Sequence, residues 1–382
     1  MRYIYQLKGW PKFVWDQEKI TAFLGPVRNR QGKLVGRMEA LGFALRAEAQ
    51  LKTLTLDVLK TSEIEGEILN AAQVRSSVAR KLGLDIAGLV PSDRHVDGVV
   101  EMTLDATQNF KKPLTRDRLF GWHASLFPGG RSGLHKITTG AWRKDSHGPM
   151  RVVSGPIGRE KVHYEAPPAA CLSKEMKAFL DWLKRGAEID PVLKAGIAHL
   201  WFVTLHPFDD GNGRIARAIA DMQLARSDGS AQRFYSMSAQ IRKERQDYYA
   251  VLEKIQKSPR RGDGEKEPSL AEGIDITFWL EWFLGCLDRA LDSTETVLAD
   301  VLKKARFWEE HPSASMNPRQ RAILNKVFEG FEGKLTSSKW AKIAKCSQDT
   351  AHRDILELVE KGILVKDPAG GRSTSYSLKT LQ

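Results

Sequence analysis

The segment from His206 to Arg217 has a backbone pattern that suits the binding of phosphate groups. It follows an almost wholly apolar stretch, and Pro207 disfavours the continuation of a helix through it. Gly211 and Gly213 permit a positive φ and a close approach of a ligand to the backbone. The free N–H groups and the dipole of a helix that begins here would form an anion site. The sequence therefore predicts a helix end, a turn and a new helix that binds an anion.

Four side chains of the same segment add chemistry to this site. Arg214 and Arg217 are three residues apart, so they share a helix face and can hold successive phosphates. Asp210 can bind a magnesium ion that bridges phosphates, and His206 can accept a proton near neutral pH. Each has a structural explanation when taken alone, as a helix cap, a turn or a solvated face. Together they favour nucleotidyl or phosphoryl transfer, in which positioning and charge neutralisation provide most of the catalysis.

This segment resembles the signature of Fic domains, HPFx(D/E)GNGRxxR, and matches it at every defined position. The resemblance extends over roughly residues 50–290. Most Fic proteins transfer AMP from MgATP to a hydroxyl side chain of a target protein. The resemblance therefore implies that His206 is the general base, that Asp210 binds Mg²⁺ and that Phe208 packs beneath the loop.

The same resemblance implies a set of nucleotide contacts. Asn212 and the backbone of Gly211 and Gly213 would hold the α-phosphate region, and Arg214 and Arg217 the phosphates beyond it. The segment 241–249 resembles one whose aromatic pair borders the adenine in similar proteins, which implies a role in nucleotide binding for Tyr248 and Tyr249. The alternative is that both tyrosines are core residues. Many relatives have an Asn where this chain has Gln256, so that adenine contact stays open.

A β-hairpin is predicted between about residues 136 and 168, where short apolar stretches flank a Gly- and Pro-containing turn at residues 154–158. We expect it to be the only sheet before the C-terminal region. Fic domains carry a hairpin flap that pairs with the backbone of the target as an added strand. The resemblance implies that Val153, Ser154 and Gly155 belong to this flap, and a purely structural hairpin is the alternative.

Residues 61–66 match the inhibitory pattern of the same family, (S/T)xxxE(G/N). Thr61 and Glu65 are four residues apart and share a helix face, and Gly66 can end that helix. A Glu65 carboxylate that reaches Arg217 would compete with the γ-phosphate and leave the α-phosphate out of line for attack. The resemblance implies the self-inhibited class, with an N-terminal inhibitory helix. In some relatives this Glu positions a water that removes AMP, so a reverse, hydrolytic activity is also open here.

The composition of the whole chain limits the other classes of function. It has 382 residues, 59 Lys and Arg against 47 Asp and Glu, a formal net charge of +12 and 42% hydrophobic residues. Domains have about 100–200 residues, so we expect two or three with packed cores. No apolar run reaches the roughly 18 residues that cross a bilayer, and no signal-peptide core follows the N-terminus, which predicts a soluble cytoplasmic protein without a membrane partner. The three cysteines lie too far apart for a disulfide framework or a thiolate zinc site.

The elements that position these residues are mostly helical. Asp16 can cap a first helix, and apolar residues recur at helical spacing through most of residues 20–60, 176–205 and 274–306. Residues 258–272 are predicted to form an exposed loop, and residues 311–314 a linker. We therefore expect a mainly α fold, a Fic-type helical bundle with a β-hairpin flap plus a C-terminal winged helix domain. The predicted domains are an N-terminal helical domain with the inhibitory helix (1–110), a Fic catalytic domain with the flap (111–310) and a winged helix-turn-helix (313–382).

The C-terminal region has its own pattern and excess of positive charge. Three short helices are predicted at Arg319–Val327, Ser337–Ala344 and Gln348–Lys361, followed by strands at Ile363–Val365 and Tyr376–Leu378. From Ser313 onward, 12 Lys and Arg stand against 7 Asp and Glu. In a winged helix that binds DNA, the side chains near the major groove would be Gln348, Thr350, His352 and Arg353, with Arg372 near a phosphate. Protein docking or dimerisation is the alternative use of such a domain.

Three functions compete at this point. A protein adenylyltransferase fits the Fic motif, with ATP and Mg²⁺ as substrate and cofactor and a Ser, Thr or Tyr hydroxyl of a target protein, or of the chain itself, as acceptor. The alternative is a DNA-binding transcriptional regulator whose Fic domain senses nucleotide or modifies the regulator. A metal hydrolase using His199 and His206 lacks a third ligand, and His199 fits the core better. The target, the base of the nucleotide and the oligomeric state stay open, with a homodimer among the options.

Overall fold

The computed structural model describes residues 2–86, 88–146, 148–156, 159–185, 189–258, 273–311, 316–328, 333–368 and 374–379. Backbone contacts divide the chain into two units, Met1–Val297 and Leu298–Gln382. Helices carry most of the described residues in both units, which confirms the prediction of a mainly α protein. The predicted loop at 258–272, the linker at 311–314, the turn residues Ile157 and Gly158, and Arg372 fall wholly or largely outside the described residues.

Most helices of the first unit follow one another along the chain with short connections, and the connections over residues 127–168 and 257–276 are longer. They are α1 (Gln17–Glu39), α2 (Phe43–Ile64), α3 (Ala71–Lys81), α4 (Arg94–Gln108), α5 (Arg116–Leu126), α6 (Ala169–Lys184), α7 (Pro191–Leu205), α8 (Asn212–Asp228), α9 (Met237–Lys243), α10 (Arg245–Gln256) and α11 (Thr277–Val297), with a 3₁₀ turn at Ile4–Gln6.

Capping residues and apolar periodicity explain where these helices begin and what they bury. Asp16 accepts a hydrogen bond from the Lys19 N–H and caps α1, as predicted. Every residue of α7 from Val192 to Leu205 is buried, which confirms the buried central helix. α7 packs along α8, and α2 contacts α8 and α9. The chain segment between α7 and α8 is therefore held between two helices that are fixed in the core.

Small two-stranded sheets lie around this helical core. Among the described residues, β1 (Arg2–Tyr3) pairs with β7 (Lys257–Ser258), β2 (Phe13–Val14) with β8 (Ile274–Asp275), and β3 (Arg131–Ser132) with β4 (His135–Lys136). β5 (Arg151–Ser154) and β6 (Lys161–Glu165) form the predicted antiparallel hairpin, with a bulge between Val152 and Val153. The expectation of a single sheet before the C-terminal region was wrong. Strands of two residues show no alternation, and two of these pairs join segments far apart in the sequence.

The second unit contains four described helices and one two-stranded antiparallel sheet. They are α12 (Ala299–Glu310), α13 (Pro318–Phe328), α14 (Ser337–Ala344), α15 (Gln348–Glu360), β9 (Leu364–Lys366) and β10 (Tyr376–Leu378). Their buried faces form one core that includes Trp340, Ile355 and Leu358. α13 to α15 and both strands lie where the sequence predicted them.

The helical stretch expected from Ile274 to about Arg306 is interrupted in the structure. Residues 274–275 form β8, and Leu298, with φ of −100° and ψ of 10°, separates α11 from α12. Apolar residues continue at helical spacing across this break, so the sequence pattern did not reveal it. None of the described helices combines the length and the apolar character needed to cross a lipid bilayer.

Candidate functional site

The loop of residues 206–211 joins α7 to α8 and has an unusual backbone. His206 has φ of 48°, and its N–H donates to the Phe202 carbonyl oxygen at 3.0 Å as α7 ends. Gly211, with φ of 79°, precedes the first residue of α8. A Cβ atom at Gly211 would lie 2.9 Å from Phe127 Cε2, so both the conformation and the space require glycine. The helix end, turn and new helix predicted from the sequence are confirmed.

Asn212 and Phe208 fix the shape of this loop from within. The Phe208 N–H donates to Asn212 Oδ1 at 3.0 Å, and Asn212 Nδ2 donates to the Phe208 carbonyl oxygen at 2.8 Å. The Phe208 ring is fully buried and stacks on the His123 ring, with centroids 4.2 Å apart. Phe208 thus packs beneath the loop as predicted, and the Asn212 side chain is used to shape the loop.

Arg143 braces the loop from a distant part of the chain and was not among the predicted site residues. Its Nε donates to the His206 carbonyl oxygen at 2.8 Å, and its backbone N–H donates to the Pro207 carbonyl oxygen at 2.9 Å. Its Nη1 pairs with Asp145 at 2.6 Å. Burial lowers the pKa of Arg143, while Asp145 opposes that effect. No local sequence signal marks this residue, because the loop residues that it binds lie more than 60 positions further along the chain.

The His206 side chain is held as a neutral imidazole. Its Nδ1 lies 3.3 Å from the Val203 carbonyl oxygen. Because a carbonyl oxygen can accept a hydrogen bond but cannot donate one, we assign the proton to Nδ1. Burial lowers the pKa of His206 to about 4, and the Val203 carbonyl opposes this only in part. Nε2 is therefore unprotonated at neutral pH and can accept a proton.

Asp210 is fixed on the other side of the loop. Its Oδ1 accepts a hydrogen bond from the Gly211 N–H at 2.6 Å, and its Oδ2 accepts one from the Ser132 hydroxyl. Within the described ranges, no group of three or more His, Cys, Asp or Glu side chains could hold a metal ion. Mg²⁺ usually binds proteins through one or two carboxylates plus substrate phosphates. A single fixed carboxylate beside an anion site fits that mode of binding.

Arg217 is held by the C-terminal end of α2. Its Nε donates to Thr61 Oγ1 at 2.7 Å, and its Nη2 donates to the Thr61 carbonyl oxygen at 2.9 Å and to Glu65 Oε1 at 2.7 Å. Burial alone would lower the pKa of Arg217, but the charge and hydrogen bond of Glu65 together with Tyr248 and Tyr249 more than offset it, so the pKa is raised. Both defined side chains of the predicted inhibitory pattern therefore bind one buried guanidinium.

Arg214 pairs with a second carboxylate, Glu67, which the sequence interpretation missed. Arg214 Nη1 donates to Glu67 Oε2 at 2.8 Å, and the guanidinium lies 5.1 Å from the centroid of the Phe127 ring. Glu67 Oε1 contacts His95 Nε2 on α4. Burial acts to raise the pKa of Glu67, but His95 and Arg214 more than offset it, so the pKa is lowered. The sequence feature that could have indicated this role is a second acidic residue, Glu67, two positions after Glu65 and directly after Gly66.

One tight turn presents both carboxylates to α8. The Ser62 carbonyl oxygen accepts the N–H groups of Glu65 and Glu67, each at 3.0 Å, and Gly66 between them has φ of 86°. Gly213 lies opposite this turn, and a Cβ atom there would collide with the Glu65 carboxylate. Glycine at position 213 therefore lets Glu65 lie directly against the first turn of α8.

The two predicted adenine-border tyrosines have different surroundings. Tyr248 is 1% exposed, and its hydroxyl lies 2.9 Å from His199 Nε2 in the core. Tyr249 is 37% exposed and stacks against the Arg245 guanidinium at 5.0 Å. Gln256 is buried, and its Nε2 donates to Thr204 Oγ1 at 3.1 Å. Of the two tyrosines, Tyr249 has the ring surface that a base could reach in this conformation.

The predicted flap residues lie at the end of β5 and are tied to α10. Val153 is 48% exposed, and Gly155 has φ of 103°. Ser154 Oγ lies 2.5 Å from His163 Nε2 on β6, and His163 Nδ1 lies 2.8 Å from Glu253 Oε2 on α10. This chain of contacts connects the free end of the hairpin to the helix that carries Tyr249.

Two family models match this chain. The model described as Fic/DOC family matches residues 113–224, which include the whole loop and the first turns of α8. A model described as a domain of unknown function (DUF4172) matches residues 3–84, which include the turn with Glu65 and Glu67. Residues 113–224 are therefore similar to Fic domains, and α2, which carries Thr61, lies in the separate region matched by the second model.

Curated relatives and a solved structure are similar to parts or all of the chain. Protein adenylyltransferase fic-1 of Caenorhabditis elegans is 30% identical over 178 residues, 46% of this chain and 32% of that protein. Protein adenylyltransferase Fic of Nematostella vectensis is 37% identical over 135 residues, 35% of this chain and 26% of that protein. The matched part of the chain thus spans a third or less of the length of these two relatives.

The crystal structure of a Fic family protein from Desulfovibrio desulfuricans has a TM-score of 0.57 and 21% identity, over 97% of this chain and 98% of that chain. At this identity the similarity shows the fold alone, and it confirms the predicted Fic-type helical architecture.

Proposed function

We propose that this chain is a protein adenylyltransferase that transfers AMP from ATP to a hydroxyl side chain of a target protein, or of the chain itself. One observation carries the proposal. A neutral His206 and two buried arginines meet at the start of α8, and both arginines bind carboxylates where a polyphosphate would bind. The names of the relatives support AMP transfer as the reaction of such a site.

In the proposed reaction, His206 Nε2 takes the proton of the target hydroxyl. The hydroxyl oxygen bonds to the α-phosphorus of ATP, the bond from that phosphorus to the bridging oxygen breaks, and pyrophosphate leaves. Arg214 and Arg217 would bind the β- and γ-phosphates, so their charges balance the charge that develops on the leaving group. The N–H groups at the start of α8 and the Gly211 and Gly213 backbone would orient the α-phosphate.

Magnesium fits the proposed site through Asp210, whose carboxylate is held by the Gly211 N–H and the Ser132 hydroxyl. When bound with ATP, Mg²⁺ would neutralise phosphate charge. Asp210 would hold the ion at the rim of the loop. The acceptor would be the hydroxyl of a Ser, Thr or Tyr side chain.

We further propose that Glu65 restrains the reaction. Its carboxylate binds the Arg217 guanidinium at 2.7 Å, and a γ-phosphate would need the same donor. A nucleotide that binds while Glu65 stays in place would keep its α-phosphate out of line for attack. The same carboxylate could orient a water molecule toward an AMP-modified hydroxyl, so the proposal includes the reverse, hydrolytic removal of AMP.

The test is mass spectrometry of the 382-residue chain after incubation with MgATP. Glu65→Gly should gain AMP on the chain at least about fivefold faster than wild type, since one charged contact is lost, and adding His206→Ala should abolish the gain. Glu63→Gln is a matched control, because Glu63 lies in the same turn of α2 but pairs with Lys60 at 2.7 Å. A gain of bare phosphate would indicate kinase chemistry instead. No adduct on Glu65→Gly or on added proteins would favour the nucleotide-sensing regulator.

The flap and the adenine border would have separate roles in binding the target and the nucleotide. We propose that Val153, Ser154 and Gly155 align the target strand, and that Tyr249 borders the base while Tyr248 fixes Tyr249 from the core. The partly exposed Val153 and Tyr249 support these roles.

We also propose that residues 313–382 form a winged helix that binds DNA. Gln348, His352 and Arg353 are exposed on one end of α15, and the region carries an excess of basic residues. Docking of a protein, including a second copy of the chain, is the alternative. The domain limits 110 and 310, and a cytoplasmic location, stay predictions.

A further inference from the structure

The Arg214–Glu67 contact has the same form as the Arg217–Glu65 contact but is no part of the inhibitory pattern. Both arginines come from the first turns of α8, and both carboxylates come from one turn after α2. The two donor–acceptor distances are 2.8 Å and 2.7 Å. The free protein therefore fills two adjacent cation positions with two of its own anionic groups.

Burial makes each pairing necessary. Arg214 is 4% exposed and Arg217 is 3% exposed, and a buried cation without a counter-charge is costly. Removing Glu67 would therefore leave Arg214 in need of another anion. Among the described residues, the Nε donor of Arg214 is buried without an acceptor, so Glu67 does not use the full donor capacity of this guanidinium. A phosphate group with three oxygens could satisfy the remaining donor.

His95 fixes which way Glu67 points. It contacts Glu67 Oε1 from α4, while Oε2 accepts from Arg214. The Glu67 carboxylate is thus oriented toward Arg214 by a residue outside the turn. A carboxylate that merely lay on the surface would have no such second contact.

We propose that Glu67 is a second internal competitor of the polyphosphate, held on Arg214 by His95, so that the site selects ligands that carry two adjacent phosphates beyond the α position. This inference rests on the proposed function, in which Arg214 and Arg217 bind the β- and γ-phosphates of ATP. The alternative is that Glu67 is a structural ion pair between the turn, α4 and α8.

The test is calorimetric binding of MgATP, inorganic pyrophosphate and AMP to the full chain. Glu67→Gln should bind ATP and pyrophosphate about three- to tenfold more tightly than wild type, as expected for the loss of one partly exposed charged competitor. AMP has no phosphate at this position, so its affinity should change less than about twofold. Glu65→Gln should show the same selectivity, the double variant should exceed either single variant, and Glu63→Gln should match wild type.

A second variant covers the case in which Glu67→Gln does not fold. His95→Leu leaves the Glu67 carboxylate in place but removes its anchor, so it should tighten pyrophosphate binding in the same direction by a smaller factor. Unchanged pyrophosphate affinity in both variants, with tighter binding in Glu65→Gln, would overturn the role of Glu67 and leave the proposed function intact. Binding of neither ATP nor pyrophosphate to any variant would reject the proposed function and this inference together.

Discussion

His206 shows how a single residue depends on contacts that the motif does not contain. Its left-handed backbone is of the kind that costs about 1–3 kcal/mol and persists only when surrounding contacts hold it. Arg143 supplies such a contact by binding the His206 carbonyl oxygen at 2.8 Å. The conformation and the burial together place an unprotonated Nε2 at the start of α8.

The lowered pKa of His206 predicts the pH dependence of transfer. Its ordinary value is 6.5, and burial lowers it to about 4, so the base form should persist well below neutral pH. In the Glu65→Gly protein, we expect the initial rate of self-modification to stay near its maximum at about pH 6 and to fall only as the pH approaches the lowered pKa. The measurement is the rate against pH at saturating MgATP, with circular dichroism to show that the fold persists. An acid limb centred near the ordinary histidine value would contradict this assignment.

The residues that the sequence could identify are those in contiguous patterns. His206, Asp210, Arg214 and Arg217 lie in one signature, and Glu65 lies in another. The sequence did not identify Arg143, Glu67 and His95, because their roles come from contacts between distant parts of the chain. Arg214 and Glu67, for example, are 147 residues apart in the sequence. The Asn212 side chain is hydrogen-bonded to the Phe208 backbone, a role that the sequence did not reveal, and its predicted contact with the nucleotide stays a prediction.

At the scale of elements, α10 connects the inhibitory turn to the flap. Near its start, Arg245 Nε donates to the Ile64 carbonyl oxygen at the end of α2, at 2.7 Å. Near its end, Glu253 contacts His163 on β6 at 2.8 Å. A shift of α10 would therefore change its contacts with both the end of α2 and the hairpin. Tyr249, which could border the base, lies between these two contacts.

Loss of the His163 contact should loosen the flap without changing nucleotide binding. In a Glu65→Gly background, we expect His163→Ala to lower the rate of self-modification about three- to tenfold, since one charged hydrogen bond is lost, while the KM for ATP stays unchanged. Hydrogen exchange of residues 151–154 and 161–165 should become faster. His163→Gln should restore part of the rate, because an amide can still bridge Ser154 and Glu253.

Lys161→Ala is the matched control for this prediction, since Lys161 is an exposed residue of the same hairpin. A raised KM for ATP with unchanged hairpin exchange would show that His163 acts on the nucleotide site instead of the flap.

The elements were predictable where one face is apolar over several turns. α6 and α13 to α15 follow such periodicity, α7 is apolar along almost its whole length, and the hairpin of β5 and β6 follows alternation around a turn. The pairings of β1 with β7 and of β2 with β8 were not, because each uses two residues from segments far apart in sequence. The break at Leu298 was hidden because apolar spacing continues through it.

At the scale of the whole molecule, the two units call for separate tests. The second unit has its own core around Trp340 and an exposed polar end of α15. If it binds DNA, the logarithm of the association constant should fall linearly with the logarithm of the salt concentration, with a slope of about −0.9 for each phosphate contact. We expect a gel shift of the full chain with duplex DNA, weakened by Arg353→Ala.

Lys361→Ala removes the same charge at the other end of α15, where Lys361 pairs with Glu357 at 2.6 Å, and should leave the shift unchanged. Equal loss in the two variants would indicate a general charge effect. No salt-sensitive shift at all would favour a protein partner for this unit.

The turn that carries Glu65 and Glu67 also sets the residual activity of the restrained protein. The backbone N–H groups of Glu65 and Glu67 both donate to the Ser62 carbonyl oxygen, so the two carboxylates belong to one fixed backbone segment. We therefore expect both carboxylates to separate from their arginines at the same time. If each ion pair contributes about 1 kcal/mol, one pair alone would be open about one time in six, and the joined pairs about one time in thirty. The idle rate would then be a few per cent of the fully released rate, and any activator would have a ceiling of about thirtyfold.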